Sequence, residues 1–362
     1  MTILNEDLLY INNQLSEDEK HFYKDAVILI TGCAGSLGYE LVHYLLQYSG
    51  AKKIIGIDNC CLGYPNWLKR LVNNKSIDFY QEDISTVDFH SIVDSNKVNI
   101  IFHMASVASP ISYRSFPLMT MEANVGGCIN LLQYYKEKKL ANFCFFSSSE
   151  VYGSPDDKNI PTNESFFGYV NTVGPRSCYD EAKRYSETIC YVYSQNHKIP
   201  CTILRPFNVF GPGMKLNDKR IPADCISAIL NNESIQLYSD GTPTRTFCYV
   251  SDAIIWILKA ARSISFEVFN IGMDKPEMTM HDFALLCAKI GKEKYNYSKP
   301  IQYAVSYDKN YLVDNPRRRC PDLDNSQKKL SFHPHITTEE GIERFLEFLA
   351  EYGTDLMEEW QW

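Results

Sequence analysis

The sequence predicts an α/β fold built as a doubly wound parallel sheet, with a smaller lobe interleaved toward the C-terminus. Three observations carry this expectation. Short apolar, β-rich runs alternate with helical stretches from "AVILIT" (26–31) to "PCTILRPF" (200–207). A glycine turn, "TGCAGSLG", joins the first run to its helix. Beyond Arg205 the alternation gives way to segments rich in Pro, Gly, Asn and Asp. Strands separated by helices of this length need crossover connections, and a sheet so connected is parallel and covered on both faces.

In chain order, the first 25 residues read as a mixed polar extension, with one amphipathic helix as an option. The strand runs are then "AVILIT", "KKIIGID", "SIDFYQ", "VNIIFHMA", "NFCFFSS" and "PCTILRPF", each expected to lead into a helix such as "LGYELVHYLLQY" or "VGGCINLLQYYKEKK". "VFNIG" and the helix "SDAIIWILKAARS" are expected to return to the sheet. The division is therefore an extension (1–25), a first lobe (26–205 with about 246–272) and a second lobe (206–245 with about 273–362) at the carboxyl ends of the strands.

The 362 residues are enough for a full core, and 45% of them are hydrophobic. A net charge of -8 and a pI near 5.6 argue against a nucleic-acid partner. The twelve cysteines are scattered without a CxxC pair and several lie in apolar runs, which reads as reduced thiols and no metal site. The N-terminus has acidic residues and no continuous apolar stretch of a signal peptide, and no run reaches the length of a membrane span. A soluble, cytoplasmic protein is expected.

Gly32, Gly35 and Gly38 lie between a strand and a helix, where glycines let backbone approach a pyrophosphate at a helix N-terminus. A turn of this kind alone is weak, since a tight turn at a helix start has the same composition. The second strand ends in Asp58, placed to accept the ribose hydroxyls of NAD, and no neighbouring arginine welcomes a 2′-phosphate. Asp83 ends the third strand within reach of the adenosine. Three successive strand ends thus favour NAD over NADP.

In "RSCYDEAKRYSET", Tyr179 precedes Lys183 by one helical turn, so the two side chains share a face. A free tyrosine has a pKa of about 10, too high for a base at neutral pH; a nearby ammonium and a cationic cofactor favour the phenolate. The pair suits proton removal from an alcohol that gives up hydride. Upstream, "FFSSSEVYGS" ends a strand in serines and one carboxylate, Glu150, which is either a surface residue or a reactive one.

Taken together these motifs resemble the extended short-chain dehydrogenase/reductases that act on nucleotide sugars, from Ala26 onward. The resemblance implies a Rossmann-like first lobe that binds NAD through Gly32, Gly35, Ser36, Leu37, Gly38, Asp58, Asn59, Asp83, Ile84, Ala105, Ser106, Asn124, Tyr179, Lys183 and Pro206. It implies that Ser148, Ser149, Glu150, Tyr179, Lys183 and Arg319 are catalytic. It also implies that Asn208, Arg220, Gln236, Tyr238, Arg245 and Arg319 bind the nucleotide sugar, UDP-linked by this likeness and handled by a homodimer.

Within this group, Glu150 separates the chemistries. Simple 4-epimerases resemble the chain except that they carry a small or neutral residue there, and dTDP-glucose 4,6-dehydratases carry an Asp-Glu pair where this chain has Ser149 and Glu150. The strand end "SSSEVYG", "VNTVGPRSCYDEAKRYSET", "FNVFGPGMKLNDKRIP" and "NPRRRCPDL" are most similar to UDP-glucuronate decarboxylases, which implies C4 oxidation followed by loss of the C6 carboxylate. Two departures stand out: Ser148 replaces the usual threonine, and "SPISY" followed by Arg114 replaces a proline-rich segment. Dehydratase and epimerase readings remain, with a non-catalytic NAD-binding scaffold as the remote alternative.

Overall fold

In the computed structural model, which describes residues 1–356, seven parallel strands form the central sheet. They are β1 (Val27–Thr31), β2 (Lys53–Ile57), β3 (Asp78–Tyr80), β4 (Ile100–His103), β5 (Asn142–Phe146), β6 (Cys201–Pro206) and β7 (Glu267–Ile271). Their spatial order is β7-β6-β5-β4-β1-β2-β3. The direction of winding reverses between β1 and β4, and the crevice at their carboxyl ends is where such sheets take ligands. The central strands β1, β4 and β5 are buried throughout, as a sheet covered on both faces requires.

The helices that matter for the site are α1 (Ile3–Gln14), α2 (Ser36–Tyr48), α3 (Gly127–Tyr135), α4 (Ser177–His197), α5 (Val250–Ala260) and α6 (Thr338–Tyr352). The expected helix after β3 is absent; its place is taken by turns and a short 3-10 helix, Ser95–Lys97. The reason is local. The Asp83 and Asp88 side chains accept bonds from backbone amides two residues on, at 2.8 Å and 2.9 Å, and so close turns that compete with a helix.

The first 25 residues differ from a polar extension. Thr2 caps α1 through a bond from the Asn5 amide, and Ile3, Leu4, Leu8 and Ile11 are buried in the main core. Asp7 is buried as well, bonded to the Tyr249 hydroxyl at 2.7 Å and to Arg344 of α6 at 2.8 Å. Tyr10 donates to Asp252 of α5 at 2.6 Å. The second helix of this segment, Glu17–His21, places Glu19 against Lys259 of α5 at 2.8 Å.

The residues beyond β6 add helices Ile221–Leu230 and Met280–Tyr295 and small strand pairs to the C-terminal ends of the sheet. A three-stranded piece joins Thr244–Arg245 to Met278–Thr279 on one side and Arg318–Arg319 on the other. It delivers Arg245 and Arg319 to the same crevice as the glycine turn.

Candidate active site

A single cavity of about 450 Å³ runs from the glycine turn across the ends of the strands to Arg319. Its cofactor half follows from the backbone. Gly32 has φ of +69°, and a Cβ there would fall 2.6 Å from the backbone of Ala105; a Cβ on Gly38 would fall 2.1 Å from the Cys33 carbonyl oxygen. Only glycine lets the turn pass so close to its neighbours. Gly35 then opens α2 with no side-chain cap, which leaves the first helical amides free for an anion.

Asp58 directly follows β2, beside this turn. It accepts from the Ala34 amide at 2.9 Å and the Cys60 amide at 2.8 Å, and burial raises its pKa. Asp83 accepts from Asn59 at 3.0 Å. Burial works to raise its pKa too, but bonds from Ser85 and Asn59 prevail and keep it acidic. Ser36, Leu37, Ile84, Ala105, Ser106 and Pro206 line the same cavity, and the Ser106 hydroxyl is buried without a partner. The open helix terminus, the paired acids and the orphaned hydroxyl fit a dinucleotide such as NAD.

The reactive half is built at the end of β5 and the start of α4. Ser148 caps the 3-10 turn Ser149–Tyr152, accepting from the Glu150 amide at 3.2 Å. Ser149 is buried in that turn and also lines the cavity. Tyr179 and Lys183 share the inner face of α4, with the Lys183 ammonium 5.6 Å from the Tyr179 ring centroid and bonded to the Phe146 carbonyl at 2.6 Å. Burial lowers the Lys183 pKa to about 7. Burial also raises Tyr179 to about 12, against a hydrogen bond from Ser148 that pulls it down. A bound cation beside the phenol shifts this balance toward phenolate.

Glu150 points inward, not to solvent. Both of its oxygens meet Arg319, with Nη2 2.8 Å from Oε2, and Arg176 Nη2 lies 2.5 Å from Oε2. Burial would raise its pKa, but Arg176 and then Arg319 outweigh it and hold the carboxyl well below the usual carboxylate range. Arg319 is 5% exposed, so it is no part of a solvated turn. Asp180, next to Tyr179, is pushed up to about 8 by burial and by Glu150.

Not every expected residue arrives. Asn208, Arg220 and Arg245 line the cavity, Arg220 paired with Asp218. Arg245 spends its guanidinium on the Pro316 carbonyl at 2.8 Å and on Asn315 at 3.0 Å, and so holds the segment beside it. Gln236 does not line the cavity; it bonds Gln302 at 3.0 Å across the pairing of Ile235–Leu237 with Ile301–Tyr303. Tyr238 stands behind Tyr311, with ring centroids 5.7 Å apart. Asn124 is also set back: it sits in a wide turn, Glu122–Gly126, with Nδ2 on the Thr120 carbonyl at 2.7 Å and Oδ1 unpartnered.

Arg176 and Tyr113, which no motif in the sequence marks, also line the cavity. Tyr113 is buried, stacks on Tyr179 with centroids 5.0 Å apart and planes 14° apart, and has an unpartnered hydroxyl. No local spacing announces either contact. Arg114, flagged as a departure, pairs with Asp308 across the cavity mouth, Nε to Oδ2 at 2.9 Å.

Residues 28–272 match the family described as "NAD dependent epimerase/dehydratase family". Among curated proteins, UDP-glucuronic acid decarboxylase 6 of Arabidopsis thaliana is 33% identical over 90% of this chain and 89% of its own length. Among solved structures, UDP-glucose 4-epimerase of Thermotoga maritima with UDP-glucose superposes with a TM-score of 0.78 at 25% identity, over 90% of this chain and 99% of that one. UDP-glucuronic acid 4-epimerase of Bacillus cereus, in complex with UDP-glucuronic acid and NAD, gives 0.74 at 25% identity over 90% and 99%. With the glycine turn, the paired acids and the Tyr179–Lys183 face at one crevice, the chain belongs to the NAD dependent epimerase/dehydratase family.

Proposed function

We propose that this protein oxidises the C4 hydroxyl of UDP-glucuronate and decarboxylates the product, giving UDP-xylose or its 4-keto form. The observation that carries the reading is the charge at Glu150: two buried guanidiniums meet this carboxylate next to Tyr179, and the second acid near them, Asp180, 3.9 Å from Arg176, is pushed up to about 8 and so is only a weak counter-charge. That surplus positive charge suits an anionic sugar and has no use for a neutral one. Likeness to a UDP-glucuronic acid decarboxylase supports the same substrate.

The glycine turn, Asp58, Asp83 and Ser106 would hold NAD, which when bound would supply a hydride acceptor at C4 and the donor for the return step. Tyr179 takes the proton of the C4 hydroxyl while Ser148 bonds the same oxygen. The 4-ketone lies β to the carboxylate held by Arg319. The C5–C6 bond breaks, its electron pair enters the enolate, and carbon dioxide leaves; the protonated Tyr179 and Ser148 donate to the enolate oxygen. C5 then takes a proton from water oriented by Glu150 and Arg319, the hydroxide left behind being neutralised by a proton from solvent, and Tyr179 gives its proton back to the C4 oxygen as hydride returns to C4.

The likeness to a UDP-glucuronic acid 4-epimerase favours a second reading in which the carboxylate is retained. Incubation with UDP-glucuronate and mass analysis of the product separates them. Loss of carbon dioxide supports the decarboxylase, and an unchanged mass with altered retention makes it an epimerase. Loss of water from a neutral hexose nucleotide sinks both in favour of a dehydratase.

The compartment in this reading is the cytoplasm, supported by twelve cysteines that are all free thiols. The assembly is a homodimer. Leu118 and Met121 of helix Pro117–Met121, with Tyr185, Tyr191 and Val192 of α4, leave large apolar side chains exposed on adjoining helices. Among the described residues no helix is long and apolar enough to cross a membrane.

A further inference from the structure

The two arginines on Glu150 come from different places. Arg176 lies at the start of α4, where its carbonyl accepts from the amides of Tyr179 at 2.9 Å and Asp180 at 3.1 Å, so it is fixed to the helix that carries the catalytic tyrosine. It is 4% exposed, sits with its guanidinium carbon 5.8 Å from the Tyr113 ring centroid, and reaches within 3.9 Å of Asp180. Arg319 comes from the short strand Arg318–Arg319, paired to Thr244–Arg245. Its Nε is buried without a partner, and its Nη2 also reaches the Gly153 carbonyl at 3.3 Å.

We propose that Arg176 is a specificity-determining positioning residue: it holds the Glu150 carboxylate so that Arg319 is free to take the carboxylate of the sugar. The inference rests on the function proposed above. Were Arg319 the sole partner of Glu150, an arriving sugar carboxylate would have to displace Glu150 and strand it in the protein. A buried carboxylate left unpaired is costly. With Arg176 in place Glu150 keeps a partner, and Arg319 exchanges one charge-assisted bond for another. A neutral sugar gains nothing from the exchange. Arginine suits the position because its planar fork presents fixed donors to the carboxylate, which a lysine ammonium offers only in part.

The test is titration calorimetry of the NAD-loaded Tyr179→Phe protein, which lacks the proton acceptor and leaves the ligand intact. UDP-glucuronate and UDP-glucose are titrated with and without a second change at Arg176. Arg176→Met is expected to weaken UDP-glucuronate roughly tenfold to hundredfold and to leave UDP-glucose within about twofold. Arg176→Lys is expected to recover much of the loss. Equal loss for both ligands, or no loss, overturns the inference, since a merely structural role would not distinguish them. Should Arg176→Met fail to fold, Arg176→Gln carries the same comparison with the same expected and overturning results. If the Tyr179→Phe parent itself shows no preference for UDP-glucuronate over UDP-glucose, the proposed function falls, a result distinct from the others.

Discussion

Glu150 and Arg319, 169 residues apart, form a two-pronged ion pair in which Nη1 donates to Oε1 and Nη2 to Oε2, the latter at 2.8 Å. The pair joins the end of β5 to the segment beyond the Met280–Tyr295 helix, and it places the carboxylate within the cavity that holds Tyr179. The carboxylate therefore ties two distant segments together at the cavity wall.

Glu150→Gln is expected to cut turnover about a hundredfold or more while leaving NAD affinity within about twofold. It also leaves two buried guanidiniums facing a neutral amide, so stability is expected to fall by about 3 kcal/mol. Because the folded carboxyl titrates below the ordinary value of 4.5, its stabilising contribution is complete above that pH and is lost only as pH falls toward the folded value. Steady-state rates and a denaturant titration check both parts. Near-normal turnover removes Glu150 from the mechanism.

Asp58→Ala should weaken NAD about tenfold or more, because the carboxylate lines the proposed cofactor half of the cavity and ties down the glycine turn through Ala34. NADP should gain nothing, as no cation is introduced. Fluorescence titration with both cofactors measures this. Unchanged NAD affinity would remove Asp58 from the cofactor site.

Asp7 is pushed up to about 7 by burial, against bonds from Tyr249 and the charge of Arg344. An unfolded aspartate titrates near 3.8, so between there and about 7 the folded protein binds the extra proton. Its contribution makes stability fall as pH rises through that window and level off above it. Asp7→Asn is expected to flatten this part of a profile of melting temperature against pH. A variant with the parent slope would show that Asp7 does not hold its proton on the buried face of α1.

Arg114 and Asp308 pin residues 304–316 across the cavity mouth, together with Asn171–Asp314 at 3.1 Å and Arg245–Asn315 at 3.0 Å. In Asp308→Asn the charge pairing is lost, and KM for the nucleotide sugar is expected to rise severalfold, roughly 1 kcal/mol, with NAD affinity unchanged. Limited proteolysis should cut this segment sooner than in the parent. Identical KM and cleavage would show that the pair does not restrain the segment.

Leu118→Glu places a charge in the exposed apolar face of helix Pro117–Met121, where Leu118 is 73% exposed. If that face joins two copies, sedimentation should show the parent at twice the chain mass and the variant shifted to monomer. A parent that sediments as a monomer ends the dimer proposal.

The sheet, the glycine turn, the strand-end acids and the Tyr179–Lys183 face are legible in the chain, because each is encoded over a few residues: unbroken apolar runs in strands covered on both faces, a four-residue spacing in helices, and glycine where backbone must approach backbone. The sequence also singled out Glu150 and Arg319 through the motifs that carry them. Tertiary structure alone decided that Arg176 is the second partner of Glu150, that Arg114 spans the cavity mouth to Asp308, and that Asn124, Gln236 and Tyr238 stand outside the lining. It also turned the polar N-terminal stretch into a helix whose Asp7 is buried under Tyr249 and Arg344. The physical reason is range. A helix or strand is chosen by its neighbours in the chain, whereas a buried charge is held by whichever partners the packing brings from distant segments, and no local period records them.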